Sequence, residues 1–177
     1  GMKPINEGKT VTGYFLRKLV DENHDLSIYS RSTQPWIAIR YAEVLLNYAE
    51  AAAKGSDAVL KKDAINKLNE VRERVGLKKL NVSGDNLKEA IYRERKVELA
   101  YEGQYYWDMR RLRKADKAFS NYRVHGLRVD KDGDNFTYTY IDCDGQDRYF
   151  PEKLYRVPLP QDELDGNGAV DQYPEWR

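Results

Sequence analysis

RYAEVLLNYAEA, residues 40–51, is the stretch on which the fold turns. Ile37, Tyr41, Val44, Leu45, Tyr48 and Ala52 recur at helical spacing and share one face, while Arg40, Glu43, Asn47 and Glu50 line another. Pro35 blocks extension backwards, and Gly55 ends the helix after Lys54, where a cation suits the negative helix end. A second helix follows at once. Ser56 or Asp57 is placed to cap it, Leu60, Ala64, Leu68, Val71 and Val75 form its apolar face, and Gly76-Leu77 is the expected stop. The two-residue connector Gly55-Ser56 forces the pair to pack antiparallel, as a helical hairpin of the tetratricopeptide kind. No second copy is visible at a period of about 34 residues.

Working outward, Asp85 is a candidate cap for a third helix with Leu87, Ala90, Ile91, Val97 and Tyr101 inward, broken at Gly103. A fourth carries Tyr105, Met109, Leu112, Ala115 and Phe119 inward, with Arg110, Arg111, Arg113, Lys114 and Lys117 around the rest. Beyond Ser120 the pattern alternates. Tyr122 and Val124 precede a strand with Phe136, Tyr138 and Tyr140 on one side and Thr137, Thr139 and Ile141 on the other, and Asp132-Gly133 and Asp144-Gly145 are hairpin-turn dipeptides. The chain is therefore expected to be one mainly α domain. Its parts are an irregular lead-in (1–35, with residues 14–16 and 19–20 buried), four helices (36–119), a β-hairpin section (120–150) and an extended tail (151–177) with one helical turn near 161–164.

Composition narrows the function classes. Thirty Lys and Arg against 29 Asp and Glu give a net charge of +1, which supplies no field to gather a polyanion, so nucleic acid is not an expected partner. The single Cys143 cannot form an internal disulfide. No apolar run approaches the ~20 residues of a membrane helix, and neither a charged start nor an apolar stretch marks a signal peptide. Either the native protein is soluble or its export segment lies outside this chain. Fourteen tyrosines beside three tryptophans supply flat apolar area with a polar edge, which suits both cores and sugar-binding surfaces. Tyr41, Tyr48, Tyr101 and Tyr105 sit at core spacings. Tyr29, Trp36, Tyr138, Tyr140 and Trp176 lie in segments able to present a ring, and are the candidate ligand-binding residues.

Three constellations invite a chemical reading. Glu94, Glu98 and Glu102 stack along one helix face, as glycosidic or metal-binding carboxylates do, but they are interleaved with Arg93, Arg95 and Lys96 and followed by an arginine-rich helix. Ion pairs tying helices together are the simpler account, and no His supports a metal there. Asp130, Asp132 and Asp134 resemble the start of a calcium loop, yet Asn135 stands where Gly is needed and the closing Glu is missing. WDMRRLRKADKAF (residues 107–119) could serve as a nucleic-acid helix, but its acidic neighbour favours internal pairing. Neither a nucleophile–His–acid triad nor a Gly-rich phosphate loop is present, so no catalytic residue, cofactor or metal is assigned.

RYAEVLLNYAEA, AINKLNEVRERVGL (64–77), RERKVELAYEGQYYWDMRR (93–111) and YRVPLPQDEL (155–164) resemble, in order and spacing, the C-terminal signature of SusD/RagB proteins, and TGYFLRKLVDE (12–22) is similar too. The resemblance implies a mostly helical fold whose recognised helices support tetratricopeptide-like pairs from an N-terminal half. It also implies a lipid-anchored protein on the outer membrane of a Bacteroidetes-type bacterium, its anchor lying outside this chain. Such a protein hands oligosaccharides, or in some relatives peptides, to a SusC-like TonB-dependent transporter, without catalysis. Signature positions Arg40, Glu43, Glu98 and Asp108, with Glu94, Glu102 and Arg111, are expected to form structural ion pairs. Two other readings compete. A scaffold that contacts the transporter or the N-terminal half without touching sugar would show an uncovered apolar patch. A glycoside hydrolase using Glu94 or Glu98 would show two carboxylates facing one open cleft.

Overall fold

The computed structural model describes residues 10–25, 33–143 and 145–177. It is mainly helical with one two-stranded antiparallel sheet, and it gathers into two compact units, Lys18–Trp107 and Gly1–Arg17 with Asp108–Arg177. No helix among the described residues is long and apolar enough to cross a membrane.

The first unit is built on α1 (Tyr41–Lys54), α2 (Ala58–Arg74) and α3 (Gly84–Glu98). Asp57 caps α2 by accepting from the N–H groups of Val59 and Leu60 at 2.7 and 3.0 Å. At the other end Gly76 takes φ +74°, and Gly76 N–H and Leu77 N–H bond back to the carbonyls of Glu73 and Arg72, so two otherwise orphaned acceptors are satisfied. Ala42, Leu45, Leu46, Ala49 and Ala53 of α1 pack on Ala64, Leu68 and Val71 of α2 and on Leu87 and Ile91 of α3, with Leu99 just beyond.

That inner face differs from the expected one. Helix α1 starts at Tyr41, because Arg40 is extended (φ −135°, ψ 161°), which leaves Trp36, Ile37 and Ile39 outside the helix and exposed. Tyr41, Val44 and Tyr48 are exposed as well; small alanines occupy the packed face and let the helices approach closely, and the Tyr48 hydroxyl reaches Asp63 of α2. Val97 and Tyr101, expected inside, are 68% and 74% exposed; Val97 lies on the outer face of α3, and Tyr101 lies beyond its end at Glu98 with a left-handed φ of +64°. Leu60 and Val75 at the ends of α2 are exposed too.

Helix α4 (Gln104–Arg111) begins in the first unit and enters the second. The single fourth helix expected through Phe119 is broken: Arg113 adopts φ +54°, Arg113 and Lys114 bond back to Arg110 and Met109, and a separate α5 (Ala115–Ala118) follows, with Met109 and Ala115 both buried. Strands β1 (His125–Asp132) and β2 (Asn135–Asp142) pair from Asp132↔Asn135 to His125↔Asp142 around Gly133-Asp134. Gly133 supplies a positive φ, but the central pair is Gly133-Asp134, one residue on from the expected Asp132-Gly133, because Asp132 is still paired with Asn135; Asp144 lies outside the described residues. The lead-in segment crosses β1 at close range. Thr12 O accepts from Leu127 N–H at 2.8 Å, and Cys143 Sγ lies 3.2 Å from Val11 O. Tyr14, Phe15, Leu16 and Val20 stay exposed, contrary to expectation, because this contact is made by backbone. The tail holds two short 3-10 turns, Glu152–Tyr155 and Pro174–Trp176, on either side of α6 (Gln161–Gly166).

Candidate ligand-binding surfaces

The three stacked glutamates of α3 and its end are each paired with cations. Glu94 accepts from Arg72 at 2.6 Å; Glu98 Oε1 accepts from Arg40 and Arg74, both at 2.6 Å. Glu102, just past the helix, accepts from Arg40 at 2.7 and 2.8 Å and from Lys18 at 2.5 Å. Arg40 and Lys18 also donate to the Glu98 carbonyl, and Lys18 to that of Ala100, placing two cations on the negative end of α3. Burial pushes the Glu102 carboxyl up, but the hydrogen bonds from Arg40 and then Lys18 outweigh it and hold it below the usual glutamate value. The same contact with Glu102 holds the Arg40 guanidinium above its ordinary range.

These partners correct the expected source of the arginines: Arg40, Arg72 and Arg74 precede α3, whereas the following Arg111 pairs with Asp108 inside α4 at 2.8 Å, and Arg110 donates to the carbonyls of Leu154 and Tyr155. The remaining polar face of α1 is equally occupied. Glu43 accepts from the Gln104 amide, and Asn47 and Glu50 meet Arg95, which is 4% exposed. Glu94 is held by one guanidinium and Glu98 by two. Asp130 is likewise paired with Arg128, and no group of three or more His, Cys, Asp or Glu converges among the described residues.

Of the candidate ligand residues, Tyr29 lies outside the described residues, and Trp36 is in the first unit, 82% exposed. Tyr138 and Tyr140 are in the second unit, 64% and 77% exposed, two residues apart on β2 and therefore on one face. Phe136 continues the row, with Lys131 over its ring at 5.6 Å. Val129 and Leu127 stand directly opposite Tyr138 and Tyr140, so the face is an apolar and aromatic strip.

Trp176, also in the second unit, borders a different feature. Its indole N–H donates to Arg156 O at 2.7 Å and Lys153 Nζ lies 4.3 Å from its ring. Its neighbours Lys153, Arg156 and Glu175, with Arg113, Glu152 and Tyr155, line a cleft of about 410 Å³. Sequence reading missed this cleft, since its walls come from three separate segments, at 113, 152–156 and 175, that share no periodicity.

A model of the SusD family matches residues 2–176. The chain belongs to the SusD family. It is 37% identical over 148 residues to SusD-like protein P2 of Formosa agariphila, a match covering 78% of this chain and 25% of that protein. Among solved structures it is similar to selenomethionine BT4246 (TM-score 0.59, 31% identity, 75% of this chain and 23% of that one). It is also similar to a SusD homolog from Bacteroides thetaiotaomicron (TM-score 0.51, 29% identity, 80% and 26%). The chain thus spans about a quarter of the length of these SusD-family relatives. Within the SusD-family match lie both the α1–α3 ion-pair cluster and the two surface features of the second unit.

Proposed function

We propose that this chain is the C-terminal part of a non-catalytic glycan-binding lipoprotein of the outer-membrane surface, working with a SusC-like TonB-dependent transporter in nutrient uptake. The observation that carries the reading is the row of exposed rings Phe136, Tyr138 and Tyr140 on one hairpin face of a SusD-family chain. Aromatic faces bind the apolar faces of sugar rings while neighbouring polar groups fix orientation, and such rings lose little conformational freedom on binding. Engagement of the α3 carboxylates by arginines supports binding without catalysis.

The test is calorimetry of this chain against soluble neutral oligosaccharides, comparing wild type with Tyr138→Ala/Tyr140→Ala. Heat from the wild type that disappears in the double variant, with melting unchanged, is the expected result. Equal heat from both would remove the hairpin from the site. No heat from either would refute sugar binding by this chain.

A further inference from the structure

The cleft of the second unit has the chemistry of an anion site. Three cations, Arg113, Lys153 and Arg156, face two carboxylates, Glu152 and Glu175. Arg156 is within 3.9 Å of Glu175 and packs over Tyr173, but Arg113 and Lys153 rest on the rings of Tyr155 and Trp176 and meet no carboxylate among the described residues. A cation over a ring keeps its N–H donors free in directions away from the ring.

The walls are fixed before any ligand arrives. The Tyr155 hydroxyl accepts from the N–H groups of Ala115 and Asp116 and donates to Asp116 Oδ1, and Arg110 holds the carbonyls of Leu154 and Tyr155. Gln172 clamps the tail by bonding both N–H and C=O of Leu159. Arg113 occupies its place through a left-handed backbone, φ +54°, which costs a non-glycine residue energy and which glycine would adopt freely. Preorganised donors lower the cost of binding.

We infer that this cleft binds an acidic saccharide, Arg113 and Lys153 taking the carboxylate or sulfate oxygens and Glu152 accepting from a ring hydroxyl. A volume of about 410 Å³ lies within the ordinary range of small-molecule sites. The inference takes from the proposed function only that the ligand is a sugar; the anion chemistry stands on the cleft alone.

The experiment follows the indole N–H resonances of this chain by NMR during titration with glucuronate, inorganic sulfate and glucose. Trp176 is the reporter, because its N–H is bonded to a cleft residue. Glucuronate and sulfate are expected to shift it and glucose to leave it still, with affinity for both anions reduced at least about tenfold in Arg113→Gly and in Lys153→Gln. Arg113→Gly can keep the left-handed backbone, and wild-type-like melts of both variants are the control that separates lost binding from misfolding. A Trp176 shift by sulfate without glucuronate would overturn the saccharide assignment and leave a simple anion site. A response unchanged in both variants, equal for glucose, or absent for both anions would overturn the cleft. None of these outcomes alters the hairpin test, which uses neutral sugars and different residues.

Discussion

Replacing Glu102 by Ala tests the ion-pair cluster most directly. The side chain is 10% exposed and accepts three charge-assisted hydrogen bonds, two from Arg40 and one from Lys18. Removing one partner of a fully buried pair costs about 3–5 kcal/mol. Here Arg40 keeps the Glu98 carboxylate and carbonyl, Lys18 keeps two carbonyls, and both cations are partly solvated. The expected loss is therefore about 2–3 kcal/mol, a fall in Tm of roughly 4–12 °C for a chain of this size. Acid supplies the signature. Because the folded carboxyl titrates below its ordinary value of 4.5, its contribution is fully present above that value and is lost as pH falls through the lower, folded one. Thermal melts of wild type and Glu102→Ala are expected to differ by a constant amount well above the ordinary carboxyl value of 4.5 and to draw together progressively as pH falls below it. Equal melts at pH 7 would show the cluster contributes nothing; a gap undiminished at pH 3 would show that ionisation is not its cause.

Three further outcomes follow from particular contacts. Gly126→Ala would place a Cβ 2.7 Å from Thr12 O and 2.9 Å from Thr12 Cα, so the lead-in is expected to detach, read as lost amide-exchange protection at Leu127. Asn69→Ala removes both bonds to the backbone of Leu80 and is expected to cost about 1–3 kcal/mol in urea denaturation. Arg113→Gly is expected to raise stability by about 1 kcal/mol, less the lost packing on Tyr155, in the same assay.

What the sequence made legible was local. Asp57 and Gly76 fix the ends of α2 through bonds within a few residues, and Gly133 marks the hairpin turn to within one residue, so their chemistry is written beside their position. The inner face of α1 was not legible: Tyr41, Val44 and Tyr48 have the larger apolar surface, but close packing selected Ala42, Ala49 and Ala53, which periodicity weighs lightly. The ion-pair role of Glu98 could be anticipated from charge interleaving, whereas its partners at residues 40 and 74 depend on how three helices meet. The break at Arg113 carries no glycine to announce it, and the cleft it helps to line depends on that break. Tyr138 and Tyr140 were legible as strand neighbours because a period of two needs no tertiary information.

The link from Lys18 to Glu102 closes a loop across 84 positions, whereas α1 and α2 meet through a connector of a few residues. Chain separation makes the helical hairpin cheap to close, and the expected order seats the cation at the end of α3 after it. An interaction absent from the transition state leaves the folding rate alone and sets the rate of escape from the native state. Lys18 would then be a latch in time: Lys18→Ala is expected to accelerate unfolding in stopped-flow denaturant jumps and to leave the refolding rate unchanged.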